Sequence, residues 1–252
     1  MLAGPTGEIK VCVLLLDIEG TITPINFFSG TLVPYARQRW EEFLLLHGRE
    51  LGIRDDLDGL RRQHAADAAA KLEPPPWLAG SLDANLSSAI TYGTWLMDRD
   101  SKCTALNSLR GKIWREGYQK GELRGEVYPD VPPAFSRWSQ QGTRICIFSS
   151  ASVIAQRSLF ATTTAGNLTR FIHANFDTAM GTKSDPQSYM RIAGSLTLPP
   201  RQILFISKVV EELDAALHAG MHTALCLRTQ VSEESEGNHW VIHSLDDVFP
   251  CP

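Results

Sequence analysis

The chain has 252 residues, of which 43% are apolar and 21% are charged, and it carries a formal net charge of -4. A chain of this length can bury a large core, either as one big domain or as two modest ones. Its charge gives no basic field of the kind that nucleic acids or anionic membranes attract. We therefore exclude those two partners and expect a small-molecule substrate.

The cysteines and the hydropathy pattern indicate the compartment. Three cysteines lie in apolar, strand-like runs and no two form a CxxC pair, so we expect buried reduced thiols and neither disulfides nor zinc ligands. No segment approaches the ~20 apolar residues of a membrane span, and the N-terminus lacks a basic start. We expect a cytoplasmic monomer. The five cysteines are Cys12, Cys103, Cys146, Cys226 and Cys251.

The segment Asp17–Thr23 directly follows the apolar run Val11–Leu16. Such a run predicts a strand buried on both faces of a parallel sheet, with chemistry at its carboxyl end. Asp17 and Glu19 are two residues apart on a turn where Gly20 allows close backbone approach, which suits one acid as nucleophile or metal ligand and the other as proton donor. An ordinary turn at the end of a strand explains the same string.

Further strand-like runs alternate with helix-length segments, which is typical of a doubly wound parallel α/β sheet. More than a hundred residues separate the first run from the second. We predict that they form a helical cap domain over 24–129, inserted into an α/β core of 1–23 and 130–252. The runs are Lys10–Leu16, Arg144–Phe148, Phe171–Ala174, Ile203–Ile206, His222–Leu227 and, after a polar loop at 232–237, Trp240–His243.

Two apolar stripes at near-helical spacing lie in the predicted cap, and packing in a helical bundle explains them. The segment Glu73–Pro76 holds three consecutive prolines, which predicts a break between two helices. The stripes are Val33, Trp40, Phe43 and Leu44, and then Leu82, Leu86, Ile90 and Met97.

Small hydroxyl side chains and a lysine follow the later strands. Ser149 and Ser150 end the second predicted strand, where they suit either phosphoryl binding or a helix N-cap. Lys183 lies in a polar stretch, where it either counters the charge of a nucleophile and phosphate or is a solvated surface group. Beyond the fourth run, Glu211, Glu212 and Asp214 are explained by the dipole of the helix they enter.

Taken together, these motifs resemble the haloacid dehalogenase superfamily of phosphatases. Within it, the chain is similar to the enolase-phosphatases of methionine salvage, also called acireductone synthases, from about residue 9 to about residue 249. The strings that carry this resemblance are Asp17–Ile25, Trp95–Leu106, Gly111–Trp114, and Asn175–Thr178 with Gly181 and Lys183.

The resemblance implies a magnesium enzyme that enolises 2,3-diketo-5-methylthiopentyl-1-phosphate and then dephosphorylates it to the acireductone. It also implies the roles of the site residues. Asp17 matches the nucleophile, which forms an aspartyl-phosphate and binds Mg²⁺. Glu19 matches the second acid, which contributes to the metal site, protonates the leaving oxygen and activates water. Ser149 and Ser150 match a substrate-binding pair, and Lys183 matches the lysine that holds phosphate. The cap would recognise the methylthio tail and exclude water.

One position departs from the family pattern, in which an aspartate after the fourth strand completes the magnesium site. Here Ser207 is followed by Lys208, with Glu212 in the later acidic place. An ammonium group cannot coordinate Mg²⁺, so we expect much weaker magnesium binding. Lys208 would pair with Asp17, lie against the phosphate, or turn outward while a nearby acid fills in. A lesser departure is Ala151, where the family often has a glycine.

Two rival functions follow from these residues. The first is a catalytically impaired relative that binds a phosphorylated ligand or partner without turnover, and Lys208 is the feature that supports it. The second is a metal-independent dehalogenase, which also uses an aspartate nucleophile. Glu19 argues against the second rival, because a departing halide needs no proton donor.

Overall fold

The computed structural model describes residues 2–4, 7–9, 11–78, 80–228 and 238–249, the first two segments by their backbone. The chain divides into two compact units, one formed by Met1–Phe27 with Arg124–Pro252 and the other by Phe28–Leu123. The assignment of 24–129 to an inserted cap domain stays a prediction. The predicted loop at 232–237 lies outside the described residues, as does Cys251.

The first unit is built on a six-stranded sheet in the order β5-β4-β3-β6-β7-β8, and every neighbouring pair is parallel. The predicted α/β class with a parallel sheet is therefore confirmed. The strands are β3 (Val13–Leu16), β4 (Arg144–Phe148), β5 (Ile172–Phe176), β6 (Ile203–Ser207), β7 (His222–Cys226) and β8 (Trp240–Ile242). A separate antiparallel pair, β1 (Leu2–Gly4) and β2 (Gly7–Ile9), was not predicted from the sequence.

The position of β3 determines where the sheet can hold a ligand. All four of its side chains are fully buried, as a strand covered on both faces requires. Strand β3 pairs with β4 on one side and with β6 on the other. The strand order reverses at this point, and parallel α/β sheets bind ligands in the crevice beyond the carboxyl ends of such strands.

The predicted strands differ from the observed ones mainly at their ends. The first begins at Val13, and Val11 and Cys12 lie outside it. The third runs from Ile172 to Phe176, because Thr169–Phe171 forms a 3₁₀ turn that delays its start. The helices of this unit are α1 (Ile25–Phe27), α6 (Val131–Gln140), α7 (Val153–Ala161), α8 (Pro186–Ser195) and α9 (Val210–His218).

The second unit is helical. A π-helical segment, Phe28–Leu32, precedes α2. The predicted break at Glu73–Pro76 lies in a non-helical segment between the second and third of its α-helices, as expected. These α-helices are α2 (Val33–His47), α3 (Leu51–Ala69), α4 (Leu82–Asp98) and α5 (Thr104–Gln119).

The apolar stripe predicted for α4 is partly wrong. Leu82 is 39% exposed, while the buried face includes Ala89, Tyr92 and Leu96. The hydropathy pattern did not predict this face, because packing against Trp40 of α2 determines which side of α4 is buried. A Cβ at Gly93 would overlap the Trp40 ring, so the glycine is what allows the tryptophan to pack there. The Trp40 indole also donates to the carbonyl of Ile90 at 3.1 Å.

Two further predictions concern thiols and membranes. Cys146 and Cys226 are buried, whereas Cys12 and Cys103 are partly exposed. Burial raises the pKa of the Cys146 and Cys226 thiols to about 11, so both are protonated at neutral pH. Among the described residues, no helix combines the length and apolar character needed to cross a membrane.

Candidate active site

Three of the parallel strands end together at the edge that carries Asp17. Leu16 pairs in register with Ile147 of β4 and with Ile206 of β6. The residues that follow these strands therefore leave the sheet at the same level. The backbone amide of Asp17 donates to the carbonyl of Ile206 at 2.9 Å, which continues the ladder into the predicted nucleophile loop.

The loop after β3 turns back on itself at Gly20. This residue has a φ of +78°, a conformation that side-chain-bearing residues rarely adopt. Its amide donates to the carbonyl of Thr23 at 2.7 Å, and the amide of Thr23 donates to the carbonyl of Ile18 at 2.9 Å. The turn is therefore closed by its own backbone. Asp17 lies at its base and is only 5% exposed.

An arginine from beyond β7 holds the far side of this loop. Arg228 donates from Nε to the carbonyl of Thr21 at 3.0 Å and donates from Nη2 to the same oxygen. Its Nη1 forms an ion pair with Asp130, and both side chains are nearly buried. Asp130 also accepts from the Ser244 hydroxyl at 2.9 Å and from the Leu245 amide at 2.7 Å. The loop is thus tied to two other segments of the unit.

Lys183 lies between two carboxylates. Its Nζ is 2.5 Å from Asp17 Oδ1 and 2.6 Å from Glu212 Oε2, and its side chain is 9% exposed. Burial lowers the pKa of Lys183, but the charges of Asp17 and Glu212 outweigh it and leave that pKa above its usual value. Burial, with the Asp17 charge adding to it, raises the pKa of Glu212 although Lys183 opposes the shift. The lysine is therefore a permanent cation at the predicted nucleophile.

The segment that carries Lys183 is held from α8. The Tyr189 hydroxyl donates to the carbonyl of Lys183 at 2.7 Å, and the Ser188 hydroxyl donates to that of Thr182 at 2.7 Å. Gly181 has a φ of +110°, and a Cβ there would overlap Ser188 Oγ. These contacts fix the backbone on both sides of Thr182 and so position the ammonium group.

The predicted serine pair follows β4, at the edge of the sheet that carries Asp17. Ser149 is 5% exposed, its amide donates to the carbonyl of Phe176 at 3.2 Å, and its Oγ accepts from the Ala151 amide at 3.2 Å. Ser150 is partly exposed. The helix α7 is capped instead by Ser152, which accepts from the Ala155 amide. Ala151 is not among the described residues with positive φ, so the missing glycine causes no strain.

Glu19 and Lys208 form a second, looser pair. Lys208 Nζ is 3.7 Å from Glu19 Oε1, and the side chains are 28% and 45% exposed. Of the alternatives given for Lys208, the structure does not show the pairing with Asp17, whose carboxylate is contacted by Lys183, and it places Lys208 beside Glu19 instead. The stem of Lys208 crosses Gly20, where a Cβ would overlap its Cδ. The turn at Gly20 thus makes room for the lysine and brings its ammonium group toward Glu19.

The acids near Asp17 do not fit an ordinary magnesium site. Mg²⁺ requires near-octahedral oxygen coordination. Among the residues that the structure describes, no group of three or more His, Cys, Asp or Glu side chains is arranged to hold a metal ion. Asp17 and Glu19 remain as two candidate ligands, and each already lies beside a lysine. Glu212 is bound by Lys183 and by the Ser207 hydroxyl, which donates at 2.9 Å.

Sequence reasoning missed the contribution of two residues. Glu212 was explained as a first-turn acid of α9, but its carboxylate contacts Lys183. Its place four residues after Lys208, where the family pattern has a glutamate, was the available signal. Arg228 follows an apolar strand with no motif around it, so nothing in the sequence pointed to its contact with the nucleophile loop.

Comparisons with known proteins identify the family of this chain. A model of the haloacid dehalogenase-like hydrolases matches residues 12–220. The enolase-phosphatase E1 of Synechococcus elongatus is 44% identical over 240 residues, which cover 95% of this chain and 98% of the relative. The enolase-phosphatase E1 of Sorangium cellulosum is 40% identical over 94% of this chain and 97% of the relative.

Solved structures share the fold of this chain. The UTR4 protein of Saccharomyces cerevisiae has a TM-score of 0.69 and 26% identity, over 93% of this chain and 98% of that one. CbbY of Rhodobacter sphaeroides, solved in complex with phosphate, shares the fold, with a TM-score of 0.54 and 16% identity over 95% and 97% of the two chains. This chain therefore belongs to the haloacid dehalogenase-like hydrolases and, within them, to the enolase-phosphatase E1 family.

Proposed function

We propose that this protein is an enolase-phosphatase of methionine salvage. It converts 2,3-diketo-5-methylthiopentyl-1-phosphate and water to the acireductone and inorganic phosphate. The observation that supports this proposal best is the contact of the Lys183 ammonium with Asp17 at the carboxyl end of β3. A carboxylate held beside a buried cation, at the point where the strand order reverses, suits attack on a phosphoryl group.

In the proposed reaction, Asp17 is the nucleophile. One of its carboxylate oxygens forms a bond to phosphorus, and the bond from phosphorus to the leaving oxygen of the substrate breaks. Water then attacks the aspartyl-phosphate, releases phosphate and restores the carboxylate. Lys183 neutralises charge on the phosphoryl oxygens in both steps and orients the carboxylate. Covalent catalysis of this kind divides one difficult displacement into two easier ones.

The remaining predicted residues support these steps. Glu19 donates a proton to the leaving oxygen in the first step and accepts one from water in the second, a role that suits its partly exposed carboxyl group. Ser149 and Ser150, at the neighbouring strand end, bind the substrate by hydrogen bonds to its phosphoryl oxygens. The rigid Ser149 backbone suits this role because it leaves little freedom to be lost on binding.

The resemblance also implies Mg²⁺. Asp17 and Glu19 would hold the ion, and when bound it would supply two positive charges to the phosphoryl oxygens. Because the described acids do not fit an ordinary magnesium site, no step of the proposed reaction depends on the ion.

Phosphate release from the diketo phosphate tests this function. We expect turnover by the wild type, and a loss of about a thousandfold or more in Asp17→Asn, which keeps the size of the side chain and removes the nucleophile. Lys183→Met should also lose activity. Lys120→Gln neutralises an exposed lysine that directly follows α5 and is the matched control, for which we expect wild-type turnover. Undiminished phosphate release by Asp17→Asn would refute the proposed nucleophile.

A further inference from the structure

Lys208 occupies the position at which the family pattern has a metal-binding aspartate. Its backbone follows Ser207 at the end of β6, one step beyond the register position level with Asp17. Its stem crosses Gly20, and its ammonium group lies 3.7 Å from Glu19. A lysine is therefore directed at the acid that was predicted to help hold the metal.

The two lysines of the site are held very differently. Lys183 contacts two carboxylates at 2.5 Å and 2.6 Å and is nearly buried. Lys208 lies farther from Glu19 than a hydrogen bond allows, and both side chains are partly exposed. A pair of this kind is weak, so an arriving anion can draw the ammonium group toward itself. Lys183 holds the nucleophile, while the charge of Lys208 is available to a ligand.

The net charge of the site is consistent with a role for Lys208 in binding an anionic ligand. Asp17, Glu19 and Glu212 are three carboxylates, and two lysines leave the group with one net negative charge when all five are ionised. An aspartate at position 208 would lower that charge to minus three. One Mg²⁺ would then return it to minus one. Lys208 therefore gives the site, without a metal, the net charge that the family's aspartate and Mg²⁺ would give it together.

We propose that Lys208 serves as the built-in cation of this site, so that the phosphoryl group is bound by lysine charge and the protein does not depend on Mg²⁺. This inference rests on the proposed phosphatase function. It deepens that function by making the ammonium group a direct ligand of the phosphoryl oxygens. As a point charge, Lys208 neutralises the anion but lacks the fixed geometry of a metal ion.

The first test measures metal binding, with Mn²⁺ as the probe and the electron paramagnetic resonance signal of the free ion as the readout. We expect Lys208→Asp to bind Mn²⁺ at least tenfold more tightly than the wild type. At concentrations where Lys208→Asp binds the ion, the wild type should leave it free. Binding of Mn²⁺ by the wild type as tightly as by Lys208→Asp would overturn the proposal.

The second test measures the affinity for inorganic phosphate by calorimetry in the presence of EDTA. Lys208→Met keeps the apolar stem over Gly20 and removes the charge, and we expect its affinity to fall at least tenfold. Lys208→Arg keeps the charge and should retain most of the affinity, while Lys120→Gln should match the wild type. Circular dichroism checks that each variant folds. Unchanged phosphate affinity in Lys208→Met would overturn the proposal.

These two readouts separate the proposal from the function on which it rests. Mn²⁺ and inorganic phosphate report on the site whichever phosphate ester the protein hydrolyses. If the binding results hold and the diketo phosphate is not hydrolysed, the proposed substrate is wrong and the role of Lys208 stands. If hydrolysis occurs only with added Mg²⁺, the proposed function stands and the role of Lys208 is wrong.

Discussion

Replacement of Arg228 by methionine tests whether the arginine stabilises the nucleophile loop. Methionine keeps an apolar stem of similar length and removes the guanidinium group. The substitution deletes two hydrogen bonds to the carbonyl of Thr21 and the ion pair with Asp130. It also deletes the stacking of the guanidinium over Tyr128, at 4.4 Å from the ring centroid.

The expected cost follows from what remains around Asp130. Its carboxylate is 12% exposed and keeps two neutral donors, Ser244 and Leu245, after the arginine is lost. Removing one partner of a buried pair costs about 3–5 kcal/mol. Protonation limits that cost, because neutralising an aspartic acid of ordinary pKa at pH 7 requires about 4 kcal/mol. We therefore expect Arg228→Met to lower the free energy of unfolding by about 3–4 kcal/mol.

Thermal unfolding followed by circular dichroism at pH 7 measures this loss. For a chain of this size, each kcal/mol corresponds to about 2–4 °C, so the midpoint should fall by about 6–16 °C. The control is Glu42→Gln, which removes an exposed ion pair with Arg39 and should cost less than about 1 kcal/mol. A midpoint for Arg228→Met within about 2 °C of the wild type would show that the arginine does not stabilise the nucleophile loop.

Three further predictions concern Asp130, the packing at Gly93 and the N-cap of α4. Burial raises the pKa of Asp130, but its hydrogen bonds and the Arg228 charge outweigh it and leave that pKa below its usual value. The decrease in the free energy of unfolding caused by Asp130→Asn should therefore be largest at neutral pH and become smaller as the pH falls below about 4. Urea unfolding at several pH values would measure this decrease. Gly93→Ala should destabilise the protein by about 1–3 kcal/mol through overlap with Trp40. Gly194→Ala, with nothing within 4 Å, should not destabilise it, and equal losses would contradict the packing explanation. Ser81→Ala should cost about 1 kcal/mol by removing the N-cap of α4, measured by the same unfolding assay.

The strand that carries the site could be predicted from the local sequence pattern. The apolar run before Asp17 predicted a buried strand because a strand covered on both faces must be apolar throughout. The predicted start of β5, at Phe171, was wrong because apolar residues of this kind occur both in 3₁₀ turns and in strands, and Phe171 belongs to a 3₁₀ turn. Whether such a residue opens a strand depends on tertiary packing.

The pairing of charges within the site was harder to predict. The sequence pattern suggested that Lys183 approaches Asp17, and the structure places the two in contact. It did not predict that Glu212 shares that lysine, because an acid in the first turn of a helix already has a local explanation. Nor did it pair Lys208 with Glu19, since that contact depends on the path of the lysine stem over Gly20.

The most direct test of the proposed function follows both products of the diketo phosphate in one reaction. Phosphate is measured by a coupled assay and the acireductone by its absorbance under nitrogen, in EDTA and again with added Mg²⁺. We expect wild-type protein to release the two products in equal amounts and Asp17→Asn to release neither. A folded wild-type protein that binds inorganic phosphate but releases neither product in either buffer would contradict the proposed function.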